Sequence, residues 1–134
     1  MIQIATFCLL IAFCCTDVVV AAALQESNLN AYREGARKVL RVHCGACHYP
    51  APVGSNPKVL QIYNLAEVDW AARLSNKQLQ NLVSRLRDRS GMTTQELKEV
   101  VPRNAPVPAR PTKEEIETVQ RYATQELLSR VPER

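Results

Sequence analysis

Apolar residues recur with the period of an α-helix in three segments of the chain. In the first segment, between Ser27 and Cys47, these positions lie mostly three or four residues apart, and arginines and lysines fall between them. That spacing lines one face of a helix and leaves most basic side chains on the other faces, so we predict a helix here. The stripe consists of Tyr32, Ala36, Val39, Leu40 and His43.

Two further helices are predicted in the middle of the chain, each with its own N-terminal cap. Ser75 precedes an apolar stripe and Gly91 follows it, and these residue types are typical of a helix start and a helix end. Thr93 and Glu96 match the T-x-x-E capping box and predict a short helix over 94–101. The stripe behind Ser75 consists of Leu79, Leu82, Val83 and Leu86.

The last helix and the loops complete the predicted fold. Thr112 and Glu115 form a second T-x-x-E box, which predicts a terminal helix. Prolines cannot continue a helix, so 49–57 and 102–111 are predicted loops, while 58–73 suggests a short helix and a turn. No segment alternates as a strand does, and we therefore predict an all-α fold with long proline-containing loops. The terminal stripe consists of Ile116, Val119, Tyr122, Ala123 and Leu127.

Residues 1–23 do not resemble the rest of the chain. They are almost wholly apolar and end with Ala21 and Ala23 in an A-x-A arrangement, which is typical of an export signal cleaved after Ala23. Asp17 interrupts the apolar run and disfavours the alternative, an uncleaved membrane anchor. We therefore predict an exported, periplasmic protein whose domain spans 24–134, with a membrane-anchored form as the alternative.

The charge of the chain narrows the choice of partners. The formal net charge is +4 at pH 7, and removal of residues 1–23 takes away one acidic residue and no basic one. A moderately basic surface favours an acidic protein partner, or an anionic membrane face if the N-terminal segment is retained. Basic and aromatic residues do not interleave as single-strand binding requires, so we expect no nucleic-acid partner.

The segment HCGACHYP contains Cys44, Cys47 and His48 in the order C-x-x-C-H, which has three readings. A redox dithiol normally begins a helix beside a sheet, whereas this pair lies at the end of a predicted helix and no strand is predicted. A structural zinc ion needs four ligands, and every Cys and His of residues 24–134 lies within 43–48. Both readings are therefore disfavoured.

Covalent attachment of haem fits the motif best. Cys44 and Cys47 lie about one helical turn apart, so both thiols can form thioethers with the two vinyl groups along one porphyrin edge. His48 then points at the iron as its proximal ligand. Export agrees with this reading because haem is attached covalently outside the cytoplasm. We predict one haem c, with its iron, as the cofactor.

With this motif in place, residues 30–128 resemble a small monohaem class I cytochrome c. The shared features are a helix that runs into C-x-x-C-H, a proline loop after it, and a terminal helix that carries an aromatic residue. The resemblance implies a cytochrome c-like fold, in which helices wrap around one covalently attached haem. It also implies that Ala36 and Leu40 pack on the terminal helix, where Tyr122 matches the aromatic residue of the family.

The same resemblance implies further residues at the haem. Pro57 lies nine residues after His48 and matches the proline whose carbonyl holds the proximal histidine, although Asn56 replaces the usual glycine. Met92 is the predicted distal ligand, because a soft thioether stabilises ferrous iron. The alternative places Val101 over the iron, since VVPRNAP resembles the Met-Pro segment of the family, and this leaves the sixth position open.

Other side chains are candidates for the surroundings of the haem. We expect His43 to be partly exposed near the haem edge. Tyr63 and Trp70 carry an O–H and an N–H that can reach the haem propionates, but ordinary core packing is the simpler expectation for both. Three arginines of the helix behind Ser75 can dock an acidic partner. These are Arg85, Arg87 and Arg89.

Two functions follow from these expectations. The first is electron transfer by a haem iron that cycles between Fe(III) and Fe(II), either in a shuttle or in the cytochrome subunit of a dehydrogenase or respiratory chain. The chain shows no cluster typical of nucleophilic or proton-transfer catalysis, so we expect no enzyme activity of its own. The second follows from the Val101 alternative and is a five-coordinate haem protein that binds or senses a small gas ligand.

Overall fold

The computed structural model describes residues 3–50 and 57–131, with side chains from residue 26 onward. Within these residues the chain forms helices and no strand, which confirms the predicted all-α class. The helices are α1 (Gln3–His48), α2 (Pro57–Leu60), α3 (Asn76–Gly91), α4 (Thr94–Val100) and α5 (Lys113–Ser129).

Helix α1 is longer than the sequence pattern predicted. It begins at Gln3 instead of Ser27, because no glycine or proline interrupts the chain before Gly35. The chain divides into two compact units, Met1–Ala31 and Tyr32–Arg134. Cleavage after Ala23 stays a prediction. Among the residues that the structure describes, no helix is long and apolar enough to cross a membrane.

Three capping boxes set the beginnings of α3, α4 and α5. In each box the side chain of the cap accepts a hydrogen bond from the backbone of the third helical residue, whose own side chain accepts one from the backbone of the cap. Each box thus satisfies two N–H groups that the helix cannot satisfy itself. The three predicted caps are confirmed, and helix α4 ends one residue before the predicted limit. The pairs are Ser75 with Gln78, Thr93 with Glu96, and Thr112 with Glu115.

The proline-containing segments behave largely as predicted. Residues 102–111 form no helix or strand. Of the predicted loop over 49–57, residues 51–56 lie outside the described part of the chain, and these include Asn56. Pro57 begins α2 instead of ending the loop, because the first residue of a helix needs no N–H donor. Turns follow α2, as predicted.

The core of the second unit is made by α1, α3, α5 and the turns after α2. Ala36 and Leu40 of α1 are fully buried, as are Val119 and Tyr122 of α5. The two helices approach closely at Gly35, where an added Cβ would lie 3.4 Å from Cγ2 of Thr118. The other buried apolar residues are Tyr63, Leu65, Trp70, Ala71, Leu74, Leu79, Leu82, Val83, Leu86, Leu97 and Ala123.

A buried carboxylate near the end of α5 holds three neighbours. Glu126 is only 8% exposed, and its Oε2 accepts hydrogen bonds from Nη2 of Arg33 at 3.4 Å and from the hydroxyl of Tyr122 at 3.3 Å. Its Oε1 accepts two bonds from Arg130, at 3.1 Å from Nε and 3.0 Å from Nη2. A buried charge without partners is costly, so the folded structure depends on these hydrogen bonds to Glu126.

The guanidinium of Arg130 extends the network to the turns after α2. It donates to the backbone carbonyl of Leu74 at 2.5 Å and to that of Ala71 at 3.1 Å. These carbonyls lie outside the helices, so the hydrogen bonds of a helix or a sheet do not satisfy them. The turn segment is therefore fixed to the end of α5 through Glu126 and Arg130.

We expect Glu126→Ala to lower the free energy of unfolding by about 2 kcal/mol, since it removes the carboxylate that Arg33 and Arg130 both contact in a partly buried place. The estimate is below that for a fully buried pair because the side chains of Arg33 and Arg130 are 23% and 24% exposed. Urea unfolding measures the change. Glu117→Ala is the matched control on α5: Glu117 pairs with Lys113, both are exposed, and the loss should stay below about 0.5 kcal/mol. Equal losses of unfolding free energy in Glu126→Ala and Glu117→Ala would contradict the stabilising role of the network.

A pH effect is expected from the cap of α5. The backbone N–H of Thr112, 2.8 Å from Oε2 of Glu115, holds the pKa of that carboxyl below its usual range, and His43 acts in the same direction. A lowered folded-state pKa means that the carboxylate stabilises the folded protein above the unfolded pKa of about 4.3. This contribution is lost as the pH falls through the folded pKa.

Glu115→Gln should therefore be less stable than the parent by about 0.5–1 kcal/mol at pH 6, and the two should converge towards pH 3. Urea unfolding at pH 6, 5, 4 and 3 checks this. Glu114→Gln, an exposed neighbour in the same turn, controls for the general effect of a negative charge at a helix start. A stability difference that is the same at pH 6 and pH 3 would contradict the prediction.

Candidate functional site

The three residues of the C-x-x-C-H motif lie in the last turns of α1 and face one cavity. Cys44, Cys47 and His48 all line a cavity of about 310 Å³. The thiols of Cys44 and Cys47 are free and half-buried, and residues three apart on a helix lie side by side. The structure therefore brings together the three residues that the motif singled out.

The imidazole of His48 is held in one orientation from outside its helix. Its Nδ1 lies 3.2 Å from the backbone carbonyl of Tyr63, and its ring stacks on that of Tyr63 with centroids 3.7 Å apart and planes 6° apart. The backbone carbonyl of His48 also accepts a bond of 2.8 Å from the N–H of Leu65. The turn over 63–65 thus holds both the side chain and the backbone of His48.

The carbonyl that holds His48 differs from the one that the resemblance implied. The carbonyl of Pro57 accepts a hydrogen bond of 3.0 Å from the N–H of Gln61, because Pro57 begins α2 and its carbonyl is used inside the helical turn. The partner of Nδ1 is the carbonyl of Tyr63, six residues further along. Sequence reasoning missed it, since a backbone carbonyl in an irregular turn carries no residue-type signal.

The surroundings of His48 favour an uncharged imidazole. Burial lowers the pKa of His48, the bond to the carbonyl of Tyr63 opposes this, and the positive charges of Arg85 and Arg89 lower it further. With the proton on Nδ1, where the carbonyl accepts it, the lone pair lies on Nε2. A neutral histidine with a carbonyl-bound Nδ1–H is the form that ligates metals in proteins.

The thiol of Cys44 does not resemble an activated redox thiol. Burial raises the pKa of Cys44, although Arg89 and a hydrogen bond with the hydroxyl of Tyr63 act in the other direction. Reactive dithiols have lowered thiol pKa values and sit at helix N-termini. Cys44 has a raised pKa and lies near the C-terminus of α1, so its environment disfavours dithiol chemistry.

The walls of the motif cavity are apolar apart from the motif itself, His43, Tyr63 and two arginines. Arg85 and Arg89 lie one turn apart on α3 and both line it. The guanidinium of Arg89 also donates a hydrogen bond to the backbone carbonyl of His43, which fixes α3 against the end of α1. The apolar lining residues are Ala46, Val59, Ile62, Leu82, Val100 and Val101.

The two candidates for the distal position are placed differently. Val101 lines the motif cavity together with His48. Met92 is half-buried at the C-cap of α3, where its N–H donates to the carbonyl of Arg89 at 3.2 Å, and it is not among the described residues that line the cavity. The geometry thus brings Val101, and not Met92, to the motif.

His43 is buried, which corrects the expectation of a partly exposed side chain. It is 3% exposed, and its Nε2 lies 3.3 Å from Oε1 of Glu115 at the start of α5. The reason is its register: His43 follows Ala36 and Leu40 on the stripe of α1 that faces inward. Neither ring nitrogen has a hydrogen bond of good geometry within the described residues.

Tyr63 and Trp70 are core residues in this structure. Trp70 is 1% exposed and tilts against the ring of Tyr63 at 6.0 Å and that of Tyr122 at 5.3 Å, between ring centroids. Core packing is therefore confirmed for both. The indole Nε1 of Trp70 has no hydrogen-bond acceptor among the described residues. A buried N–H without an acceptor costs free energy, and Trp70 is not among the described residues that line the motif cavity.

The donor set fits covalent haem better than a bare metal ion. In the described part of the chain, no three side chains of His, Cys, Asp or Glu converge as ligands of one ion. The cavity instead offers two adjacent thiols for thioether bonds and one oriented imidazole as a single protein ligand. That combination is what a C-x-x-C-H attachment site requires.

Comparisons with protein-family models, curated proteins and solved structures found no match. The resemblance to class I cytochromes c therefore stays a prediction.

We expect the Cys44 thiol to react slowly with iodoacetamide at pH 7.5 in the folded chain that carries free thiols. A raised pKa and burial both reduce the accessible thiolate, so alkylation should be at least about tenfold slower than in 8 M urea. Mass spectrometry of the proteolytic peptide that contains Cys44 and Cys47 resolves each site. Faster alkylation of Cys44 in the folded chain than in urea would instead support the redox dithiol reading.

Proposed function

We propose that this chain is an exported electron-transfer protein that carries one haem c. The observation that carries the proposal is the end of α1, which presents the thiols of Cys44 and Cys47 and the oriented imidazole of His48 to one largely apolar cavity. When bound, the haem supplies a one-electron couple between ferric and ferrous iron.

The residues of the chain have distinct parts in this proposal. Cys44 and Cys47 would hold the haem through thioethers that prevent its dissociation, and Nε2 of His48 would ligate the iron. The carbonyl of Tyr63 keeps the proton of His48 on Nδ1 and fixes the plane of the ring. The apolar wall keeps water away, and a drier site makes nearby charges more effective.

Two positive charges bias the redox couple of such a site. Arg85 and Arg89 line the cavity with His48, and both disfavour positive charge at that imidazole. By the same electrostatic argument they disfavour the ferric state relative to the ferrous state, and so raise the reduction potential.

We also propose that the arrangement of helices is cytochrome c-like. Support comes from the crossing of α1 and α5 at Gly35 and Thr118, beside the fully buried Ala36 and Tyr122. A helix that ends in the haem motif and crosses the terminal helix is what the resemblance implied. Proteins with acidic docking surfaces are the proposed redox partners, in the periplasm, and no enzyme activity of the chain itself is proposed.

A second candidate function is favoured by one observation. Val101 lines the motif cavity and Met92 does not, so the distal side of the site offers a small apolar side chain in place of a thioether. An iron ligated by His48 alone would bind a small gas ligand. The same motif would then serve a binding or sensing protein.

Optical spectra of the matured protein test the proposal. We expect a covalent haem c spectrum. The charge-transfer band of Met–iron ligation in the ferric state, with no change on addition of CO to the reduced protein, would support Met92 as the distal ligand although it does not line the motif cavity in this structure. A haem c spectrum without that band that shifts with CO would support the gas-binding function. The lack of any covalent haem would contradict both functions.

Two variants identify the residue over the iron. If Met92 is the ligand, Met92→Ala should abolish the charge-transfer band, lower the reduction potential and admit CO, whereas Val101→Ala should change none of these. If Val101 lies over an open position, Met92→Ala should leave the spectrum unchanged. In that case Val101→Met, which adds a thioether at the cavity, should produce the band and reduce the binding of CO.

A further inference from the structure

A second cavity lies beside the motif, between the end of α1 and the proline-containing segment. It has a volume of about 420 Å³ and shares His43, Ala46 and Val101 with the motif cavity. We call it the proline groove. Its other lining residues are Arg41, Val42, Pro102, Arg103, Asn104, Ala105, Pro106 and Pro108.

The proline groove contains two cations and no anion among its described lining residues. Arg41 and Arg103 are both exposed, and neither has a carboxylate within ion-pair distance among the described residues. The guanidinium of Arg41 lies over the ring of Tyr49, 4.3 Å from its centroid. Arg103 lies in a turn closed by a bond of 2.8 Å from the N–H of Ala105 to the carbonyl of Pro102. These contacts restrain the guanidinium of Arg41 and the backbone at Arg103.

The base of the proline groove adds a buried polar side chain. His43 lines the groove and is only 3% exposed. Neither of its ring nitrogens has a hydrogen bond of good geometry among the described residues. Its imidazole lies near the carboxylate of Glu115, which also accepts from the backbone of Thr112 and does not line the groove, and its backbone carbonyl accepts from Arg89. Around this residue the walls are mostly proline, valine and alanine.

We propose that the proline groove is the docking site for an acidic segment of a partner protein, with its carboxylates on Arg41 and Arg103 and its apolar side chains against the prolines. The occupant follows from complementarity of charge: two cations without an internal carboxylate face a groove that offers no acid among its described lining residues. The volume and the apolar walls suit a peptide segment, since a small anion would leave the prolines and Val42, 58% exposed, without contact.

The position of the proline groove connects it with the proposed function, on which this inference partly rests. Because the groove and the motif cavity share His43, Ala46 and Val101, a partner docked in the groove would lie next to the motif. Electron exchange requires such proximity. The docking itself needs only the groove, so the two ideas can be tested separately.

Two of the three arginines of α3 are less suitable for docking than the sequence suggested. Arg87 donates a hydrogen bond of 2.7 Å to the side chain of Gln120, and Arg89 donates to the backbone carbonyl of His43. A cation that already has a partner inside the protein gains less from an external carboxylate. Arg41 and Arg103 of the proline groove have no ion pair or side-chain hydrogen bond of this kind among the described residues, although Arg41 contacts the ring of Tyr49.

The test uses a synthetic octapeptide that alternates glutamate with leucine, and a neutral counterpart with glutamine in place of glutamate. The ¹⁵N-labelled full chain is titrated with each peptide, and amide shifts locate the binding surface. We expect shifts centred on Val42, Ala46 and Asn104 with the acidic peptide and little response to the neutral one. Arg41→Gln with Arg103→Gln should weaken binding about tenfold, as expected for two lost charge contacts.

Matched variants separate docking from folding. Arg41→Lys with Arg103→Lys keeps both charges and should retain most of the affinity, and Lys77→Gln removes an exposed charge of α3 elsewhere and should change it less than about twofold. Circular dichroism checks that each variant keeps its helices. Shifts centred on Arg85, Arg87 and Arg89, or no response to the acidic peptide, would overturn the proposal.

The optical spectrum of the same sample reports on the proposed function independently. Groove binding without a haem spectrum would refute the electron-transfer proposal and leave the docking site standing. A haem c spectrum with no binding in the groove would refute the docking site alone.

Discussion

The carboxylate of Glu126 joins the parts of the second unit that must be correctly placed before the motif can have a defined geometry. It is buried, and it accepts hydrogen bonds from Arg33 on α1, from Tyr122 on α5 and from Arg130 at the end of α5. Because a buried charge without partners costs several kcal/mol, all three donors are held in place together. The start of the buried part of α1 is thereby fixed to α5, some ten residues before the motif.

The same network reaches the motif by a second route. Arg130 holds the carbonyls of Ala71 and Leu74, in the turns that begin with Tyr63. Tyr63 in turn stacks on His48 and accepts from its Nδ1. The orientation of the imidazole therefore depends on contacts far along the chain and not on the residues beside it in α1. A loop without regular structure becomes precise because buried side chains and a guanidinium satisfy its backbone groups.

Local signals in the sequence predicted α3, α4, α5 and the three motif residues, but neither the start of α1 nor the contacts that orient His48. The T-x-x-E boxes and the apolar stripes predicted α3, α4 and α5 closely, because caps and periodicity act over a few residues. The carbonyl of Tyr63 was missed, since any residue type supplies a carbonyl and only the tertiary fold brings this one to His48. His43 was misjudged for the opposite reason: its polarity suggested exposure, whereas its place on the stripe of Ala36 and Leu40 buries it.

The arginines around the motif divide into two groups by whether they have partners inside the protein. Arg89 is anchored to a backbone carbonyl at the motif cavity, so its charge acts as a fixed field on whatever the cavity holds. Arg41 and Arg103 lack an internal carboxylate, so the strongest electrostatic gain open to them comes from another molecule. The positive charge of these arginines therefore has two consequences in the two proposals. In the proposed function the anchored Arg89 tunes the site, and in the proposed docking Arg41 and Arg103 favour an acidic partner.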